Sequence, residues 1–487
     1  MATWWVVVVV VVVFIIVAII LGVLWWKFYP QNVGINLNKW QYPVKEFSKT
    51  DDDLQKRLKL LECGRDLDIS EKDWNTTISV VNEILETLLQ AMRSAAQEYE
   101  GLVLNGYRKQ GSAREGLKIR APDEFDVLLE YDIEGLLVEP KPLINFGKSY
   151  PGLGKMKILT ARHKVDKHFK TWLGKGVIVM HNSSYYLNAR TLHQSIFESI
   201  IDKCRGKITN ITKQNLPFQL TRSMNPPSIN IRIERQVMNS GRWRRFVNWV
   251  LRKANIPVEI DIDIVPAMII GMEKARGPRK FMKCPRYAVV KWMDERQQSA
   301  SRFDAPAMIW RFCTSGYEKH YMDLARKHRG KRYIMTACRI IKMLINKEKE
   351  KRRSGYQPLS ISLFLRSYYL KNIAFHCMLF AESVKGVHEA LGYFLGLLNI
   401  SLKEENLPQF FTGNKSLKEE FPACAKGGQI NLFRDVPEGT FIQVRSSFDT
   451  ILNQLFGMYD TEAFKSVTRF EFRKFVKPIQ NQACLIV

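Results

Sequence analysis

The feature that most constrains this chain is an uninterrupted apolar segment near its N-terminus. Val6 to Leu24 are 19 residues without a charged side chain, and at about 1.5 Å per residue a helix of that length extends roughly 29 Å, one hydrocarbon thickness of a bilayer. Tryptophan pairs lie at both ends, at positions 4–5 and 25–26, and indole rings favour the headgroup region. The segment lacks the charged start and the small-residue cleavage site of a signal peptide. We therefore predict a transmembrane helix within residues 1–30.

Charges beside this segment predict its orientation. The side chains before it are uncharged, whereas Lys27, Lys39 and Lys45 follow it, and the cytoplasmic flank is the one enriched in lysine and arginine. We expect a single-pass membrane protein with its N-terminus outside and residues 27–487 in the cytosol. At the other terminus, Cys484 begins Cys-Leu-Ile-Val, which fits a C-a-a-X box except for its final valine and makes Cys484 a candidate for lipidation.

Composition indicates that the rest of the chain is a large, basic, globular protein. Of the 487 residues, 46% are apolar, and 74 Lys and Arg against 48 Asp and Glu give a formal net charge of +26. This charge favours a polyanionic partner, such as nucleic acid, nucleotides or an acidic membrane surface. The eight cysteines are scattered without a CxxC pair, which argues against a disulfide framework and against a zinc finger.

Periodicity divides the soluble part into regions of different secondary structure. Residues 31–68 are polar without a sustained period and are predicted to be a tether. Ser70 begins a capping box, and apolar residues at three- and four-residue spacing continue to Met92, which predicts a long helix. Alternation predicts three strands, and apolar spacing predicts three helices after Ala305. The strands are at 124–129, 228–234 and 258–265, and the helices are at 333–347, 364–380 and 387–398.

These patterns predict a mixed α/β lobe at residues 69–304, an all-α lobe at 305–412 and a C-terminal extension at 413–487.

Carboxylates alternate along two of the predicted strands. Glu124 and Asp126 are two residues apart, and so are Glu259, Asp261 and Asp263; side chains at this spacing share one face of a strand. Three such carboxylates from neighbouring strands can hold the two metal ions that assist nucleotidyl transfer. Gly111-Ser112 comes before the first strand, in a predicted turn where glycine allows close backbone approach and serine can hold phosphate oxygens. Taken singly, such features are more often a solvated loop and a solvated strand edge.

One continuous segment resembles a known family. Residues 111–128 read GSAREGLKIRAPDEFDVL, and the succession G-S, K-I and P-x-E-F-D-V resembles the active-site segment of cyclic GMP-AMP synthase (cGAS) and the animal cGAS-like receptors, within the male-abnormal (Mab) nucleotidyltransferase family. Residues 225–228 and 262–267 also resemble family segments, and so do Trp310–Ser315 (W-R) and Ser367–Lys371 (S-Y-x-x-K). The resemblance extends over roughly residues 69–412.

The resemblance implies a role for particular residues. Two Mg²⁺ or Mn²⁺ ions would be bound by Glu124, Asp126 and Asp263, with Asp261 as a neighbouring candidate. Gly111 and Ser112 would hold the triphosphate. The remaining substrate contacts would be made by Arg311, Lys342, Ser367 and Tyr368. Without the resemblance, Lys342 can also be a charge on a helix surface, and Tyr368 can be a core aromatic side chain. His376 is expected to be a core histidine.

The resemblance also implies an activity and a fold. The fold would be an α/β nucleotidyltransferase lobe with a long spine helix plus an all-α C-terminal lobe. The enzyme would make a cGAMP-like cyclic dinucleotide from ATP and/or GTP, activated by double-stranded RNA or DNA in innate immune sensing. Family members with a zinc thumb use one His and three Cys, but Tyr317–Arg332 contains His320 and His328 without cysteine. We therefore expect no zinc, and the cGAS-like receptors are favoured.

Two alternatives stay open. Some family members with an N-terminal anchor are catalytically silent nucleotide-binding adaptors, and some developmental members have no known catalysis. The three carboxylates favour an enzyme, because their mutual repulsion is relieved by a bound metal. Residues 236–256 are predicted to form a basic amphipathic helix, which suits either anionic lipid or a phosphate backbone.

Overall fold

The computed structural model describes residues 38–46, 51–61, 63, 67–145, 148–208, 218–225, 228–235, 259–276, 281–291, 303–352, 355–425, 428–434 and 436–456. All of them belong to one compact unit that begins at Asn38. The predicted anchor, the predicted basic helix at 236–256 and Cys484 lie outside these ranges. Within them, no helix is long and apolar enough to cross a bilayer.

One mixed β-sheet connects the strands of the described residues. Its main order is β1-β2-β9-β10-β11-β4-β6-β5; β3 pairs with β4, and the β7–β8 hairpin pairs with β9. Only β2 and β9 pair in parallel among the described strands, which confirms the mixed sheet. The strands are β1 (Leu102–Gln110), β2 (Glu124–Ile133), β3 (Val138–Asn145), β4 (Lys148–Ile158), β5 (Ile178–His181), β6 (Ser184–Leu187), β7 (Phe218–Asn225), β8 (Ser228–Arg235), β9 (Glu259–Arg276), β10 (Phe281–Val290) and β11 (Trp310–Cys313).

Helices cover one part of the sheet and form most of the second half of the described chain. The α-helices are α1 (Asp52–Leu60), α2 (Glu71–Ala96), α3 (Gly111–Glu115), α4 (Arg162–His168), α5 (Lys170–Gly174), α6 (Ala189–Thr191), α7 (Glu198–Ile208), α8 (Ser315–Ala325), α9 (Arg329–Lys351), α10 (Ser360–Phe364), α11 (Ser367–Cys377), α12 (Val387–Lys403) and α13 (Glu438–Phe456). A π-helix at Leu192–Phe197 joins α6 to α7, and 3₁₀ turns lie at Pro306–Met308, Met378–Ser383 and Lys415–Leu417.

The long helix predicted after Ser70 is α2. The Ser70 hydroxyl accepts a hydrogen bond from the amide of Asp73 at 3.1 Å, which satisfies one of the free donors at a helix start. The apolar face of α2, including Trp74, Val81 and Met92, is buried in the same cluster as the sheet residues Phe125 and Ile262. A second apolar cluster lies among α8, α9, α11, α12 and α13, in agreement with the helical patterns of the sequence.

Several segments differ from the prediction. Residues 38–68 were expected to belong to a tether, but α1 buries Leu54 and Leu58 in the helical cluster, and Trp40 contacts Phe125 edge-on at 4.9 Å between ring centroids. The acidic and basic residues around this leucine pair hid its four-residue spacing. The helix predicted at 364–380 is instead α11 flanked by α10 and a 3₁₀ turn, because the backbone is extended at Leu365.

The predicted extension at 413–487 also contributes to the helical cluster over its described part. Its buried side chains include Phe421, Phe433, Phe441 and Phe448. Gly111-Ser112, predicted as a turn, begins the short helix α3 directly after β1.

Candidate functional site

The parallel pairing of β2 with β9 brings the predicted carboxylates together. In this register Asp126 lies opposite Asp263 and Glu124 lies opposite Asp261. The amide of Asp261 donates to the carbonyl of Asp123 at 2.7 Å, just before the first paired residues. Side chains opposite each other on neighbouring strands share one face of the sheet, so the carboxylates of both strands form one acidic group at this end of the two strands.

Each outer carboxylate in this group has a polar partner. Glu124 accepts from the Lys118 ammonium, with 3.2 Å between Oε2 and Nζ, and Asp263 accepts from the Asn230 side-chain amide at 3.0 Å. Asp261 instead pairs with the Arg232 guanidinium at 3.0 Å. Asp263 lies directly opposite Asp126, which makes it the better placed candidate for a third metal ligand.

Burial and the neighbouring carboxylates act together on Asp126. Burial raises the pKa of Asp126 to about 7, with further contributions from the neighbouring charges of Glu124 and Asp263. Burial also raises the pKa of Asp263, whereas the Lys118 ammonium lowers the pKa of Glu124. A buried carboxylate with a pKa raised in this way gains stability from a nearby cation.

These side chains suit Mg²⁺ or Mn²⁺, since carboxylate oxygens are the ligands such hard cations prefer. Within the described residues, however, no group of three or more His, Cys, Asp or Glu side chains is drawn together as a metal-binding cluster. Glu124 is hydrogen-bonded to Lys118 and Asp263 to Asn230. The chemistry of the carboxylate donors fits the implied metal.

Gly111 packs directly against Asp126. Its φ angle is +71°, and a Cβ added there would lie 1.8 Å from the Oδ2 atom of Asp126. Both facts require glycine, because a side chain would be strained at this φ and would also overlap the carboxylate. The glycine of the G-S pair therefore allows the start of α3, including Ser112, to lie beside the acidic group.

Two buried ion pairs fix α3 to the helical part of the unit. Arg114 binds Asp323 of α8 with both side chains almost fully buried, at 2.6 and 2.8 Å. Glu115 binds Lys371 of α11 at 3.0 Å. Because α3 directly follows β1, these pairs connect the sheet to the helices at the position of Gly111 and Ser112.

A cavity of about 510 Å³ opens in front of the acidic group. Eight of the nine predicted nucleotide- or metal-binding residues line it, whereas Asp263 is not among its lining residues. The eight are Gly111, Ser112, Glu124, Asp126, Arg311, Lys342, Ser367 and Tyr368. The structure thus brings together residues that are as much as 257 positions apart, from Gly111 to Tyr368.

Lys342 and Tyr368 both face this cavity. Lys342 is half-buried on α9, and its pKa is lowered by burial and by Lys118, so it is not an ordinary charge on a helix surface. Tyr368 is 36% exposed, and its hydroxyl accepts from the Gln409 amide at 2.9 Å. His376 is a core histidine as predicted: its Nε2 lies 2.9 Å from the carbonyl of Pro408, and burial lowers its pKa to about 4.

The sequence assigned no individual role to several polar residues of the cavity wall, although Lys371 ends the S-Y-x-x-K segment; they are Glu115, Glu318, Lys371 and Gln409. Lys371 lies between Glu115 and Glu318, at 3.0 and 2.6 Å, and Gln409 also donates to the Thr314 hydroxyl at 3.1 Å. Their pairing connects α3, α8 and α11, and no local sequence pattern indicates such distant partners.

Residues 430–434 of the predicted extension complete the wall. Ile430, Leu432 and Arg434 line the cavity, while Phe433 between them is buried in the helical cluster. The backbone N–H of Gln409 donates to the carbonyl of Ile430 at 2.8 Å. The segment consists of one isolated bridge at Asn431 and a turn, so no strand or helix period in the sequence indicates it.

Comparisons with known proteins give a limited result. No family model matches the sequence, and neither does any curated protein. Among solved structures, CdnC from E. coli MS115-1, determined with ATP, is similar at 12% identity and a TM-score of 0.42, over 84% of this chain and 92% of that chain.

Proposed function

We propose that this protein is a metal-dependent nucleotidyltransferase that joins ATP and/or GTP into a cyclic dinucleotide. The observation that carries this proposal is the contact of Gly111 with Asp126, in a register that places Asp126 opposite Asp263. The Gly-Ser pair that we propose for phosphate is thereby adjacent to the carboxylates that we propose for metal, of which Glu124 and Asp126 line the same cavity.

The acidic group supplies the metal-binding part of the proposal. Glu124, Asp126 and Asp263 would hold Mg²⁺ or Mn²⁺, which would provide Lewis-acid assistance to the attacking hydroxyl and to the leaving pyrophosphate. The raised pKa of Asp126, caused first by burial and then by Glu124 and Asp263, supports this part of the proposal. Such an arrangement lowers stability unless a cation binds, which favours catalysis over a purely structural role.

The opposite wall supplies contacts for the substrate. The Tyr368 ring is partly exposed and is held through its hydroxyl by Gln409, so its face is available for stacking on a nucleobase. Arg311 is exposed on β11 and contributes a guanidinium to the same cavity. Lys342 provides a compact positive charge for phosphate, and Ser112 and Ser367 provide hydroxyl groups.

Further parts of the proposal concern partners and location. The +26 charge supports activation by double-stranded RNA or DNA, and contact with membrane lipid. The apolar run at 6–24 supports a single-pass anchor with the catalytic unit in the cytosol. We expect the full-length chain to stay in the membrane during alkaline extraction, and we expect protease to reach the catalytic unit from the cytosolic side only. Extraction of the chain into the supernatant would contradict the anchor.

The alternative proposal is a membrane adaptor that binds nucleotide without turnover. The apolar N-terminal run favours it, because an adaptor needs a fixed location. The acidic group favours the enzyme, since nucleotide binding alone would be weakened by three carboxylates facing the phosphates.

The test uses the full-length chain in detergent, with labelled ATP and GTP, Mg²⁺ or Mn²⁺, and double-stranded RNA or DNA. Products are separated by chromatography. Asp126→Asn should abolish the product, whereas Asp132→Asn, the same change on the same strand next to Asn105, should not. A cyclic product that depends on Asp126 supports the enzyme; intact bound nucleotide without product supports the adaptor.

A further inference from the structure

Lys118 lies beside the acidic group and has no role in the proposed chemistry. Its side chain is 6% exposed, while its partners Asp123 and Glu124 are 52% and 56% exposed. The ammonium binds Asp123 at 2.9 Å and Glu124 at 3.2 Å. The buried Lys118 ammonium is thus held at the edge of the acidic group by two solvent-exposed carboxylates.

The connection between α3 and β2 fixes Lys118 in this position. Gly116 ends α3 in the left-handed conformation at φ +73°, and Leu117 and Ile119 on either side of Lys118 are buried. Arg120 then pairs with Glu350 of α9. The backbone of Lys118 is therefore fixed on both sides. Its ammonium changes position only when the side chain rotates.

The Lys118 ammonium and a divalent cation make competing demands on Glu124. A positive charge already lies at hydrogen-bonding distance from one carboxylate oxygen, and a second cation at the same carboxylate would be repelled by it. Glu124 is therefore paired with Lys118 at the same carboxylate that a metal ion would need.

We propose that Lys118 is a positioning residue that holds Glu124 out of the metal-binding arrangement and is displaced from it when a divalent cation binds. This rests on the proposed metal site. The cation and Lys118 then exclude each other, so any event that shifts the connection at 116–123 also changes metal affinity. The opposite role, in which Lys118 orients Glu124 for the metal, predicts the opposite change in affinity.

Mn²⁺ binding to the full-length chain distinguishes them, with free Mn²⁺ followed by electron paramagnetic resonance. Lys118→Met should bind Mn²⁺ about five- to tenfold more tightly, because two partly exposed ion pairs and one repulsive charge are removed. Lys118→Arg should stay near the wild type. Lys56→Met is the matched control, since Lys56 pairs with Asp53 at an exposed site. Equal or weaker binding by Lys118→Met would overturn the proposal.

A second measurement needs no substitution at Lys118. Acylation of lysine amines, quantified by mass spectrometry, should label Lys118 several-fold more with saturating Mn²⁺ than without it, while labelling of Lys56 stays constant. Unchanged Lys118 labelling under conditions where Mn²⁺ binds would refute the displacement, even if Lys118→Met did not fold.

Asp126→Asn separates this proposal from the metal site on which it rests. If Asp126→Asn loses Mn²⁺ binding while Lys118→Met matches the wild type, the metal site stands and the role of Lys118 is wrong. If neither the wild type nor Lys118→Met binds Mn²⁺, both proposals are wrong.

Discussion

Substitution of Gly111 by alanine tests the contact on which the proposed site depends. Gly111 has φ +71°, and an added Cβ would lie 1.8 Å from the Oδ2 atom of Asp126 and 2.9 Å from its Cβ. The left-handed backbone alone costs an alanine about 1–2 kcal/mol. Ordinary contact requires roughly 3.5 Å between such atoms, so Asp126 must also move by more than an ångström.

A second glycine separates these two effects. Gly176 has φ +69°, and a Cβ added there meets nothing within 4 Å. Gly176→Ala should therefore lose only the backbone strain, about 1–2 kcal/mol in the free energy of unfolding, and keep wild-type Mn²⁺ affinity. Gly111→Ala should lose more stability and should lower Mn²⁺ affinity by at least about tenfold, because a ligand is displaced.

The assay combines urea unfolding with Mn²⁺ titration of both full-length variants. If Gly111→Ala binds Mn²⁺ as tightly as Gly176→Ala, Asp126 is not a metal ligand held by this contact, and the reasoning from the Gly-Ser pair to the acidic group is refuted.

Three further predictions concern stability, nucleotide binding and pH. Arg114→Met should lower the free energy of unfolding by about 3–5 kcal/mol, because it leaves Asp323 buried without its partner; the double variant with Asp323→Leu should recover most of the loss in urea unfolding. Tyr368→Ala should weaken ATP binding roughly tenfold in calorimetry through lost stacking, whereas Tyr368→Phe should stay close to wild type; equal losses would exclude stacking. Because the folded-state pKa of Asp126 is raised to about 7, its contribution to stability without metal is present at low pH and is lost as pH rises from about 4 to about 7. Asp126→Asn should flatten this part of the stability–pH curve, and an unchanged curve would contradict the assignment.

Local sequence patterns were sufficient for the elements that bear the site. Alternation at Glu124 and Asp126 predicted a strand with two carboxylates on one face, and the capping box at Ser70 predicted the start of α2. Both features are determined within a few residues, by the period of a strand and by the hydrogen-bonding needs of a helix start.

Features that depend on distant pairing were not predictable in the same way. The contact of Gly111 with Asp126 and the partners of Lys371 arise only when β1, β2, α8 and α11 meet. The role of the extension was also missed, because Phe421 and Phe433 bury their rings from an irregular segment without a helical or strand period. The Leu54–Leu58 pair was assigned to a tether for a different reason, because charged residues surround its helical four-residue spacing.

Metal-directed backbone cleavage tests the central claim most directly. Fe²⁺ bound in place of Mg²⁺ in the full-length chain, with ascorbate and peroxide, generates radicals that cut the backbone near the metal. We predict cuts near Gly111, around Glu124–Asp126 and around Asp263, all lost in Asp126→Asn and suppressed by excess Mg²⁺. Cleavage confined to other segments, or cleavage that Asp126→Asn leaves unchanged, would contradict a metal site formed by these carboxylates.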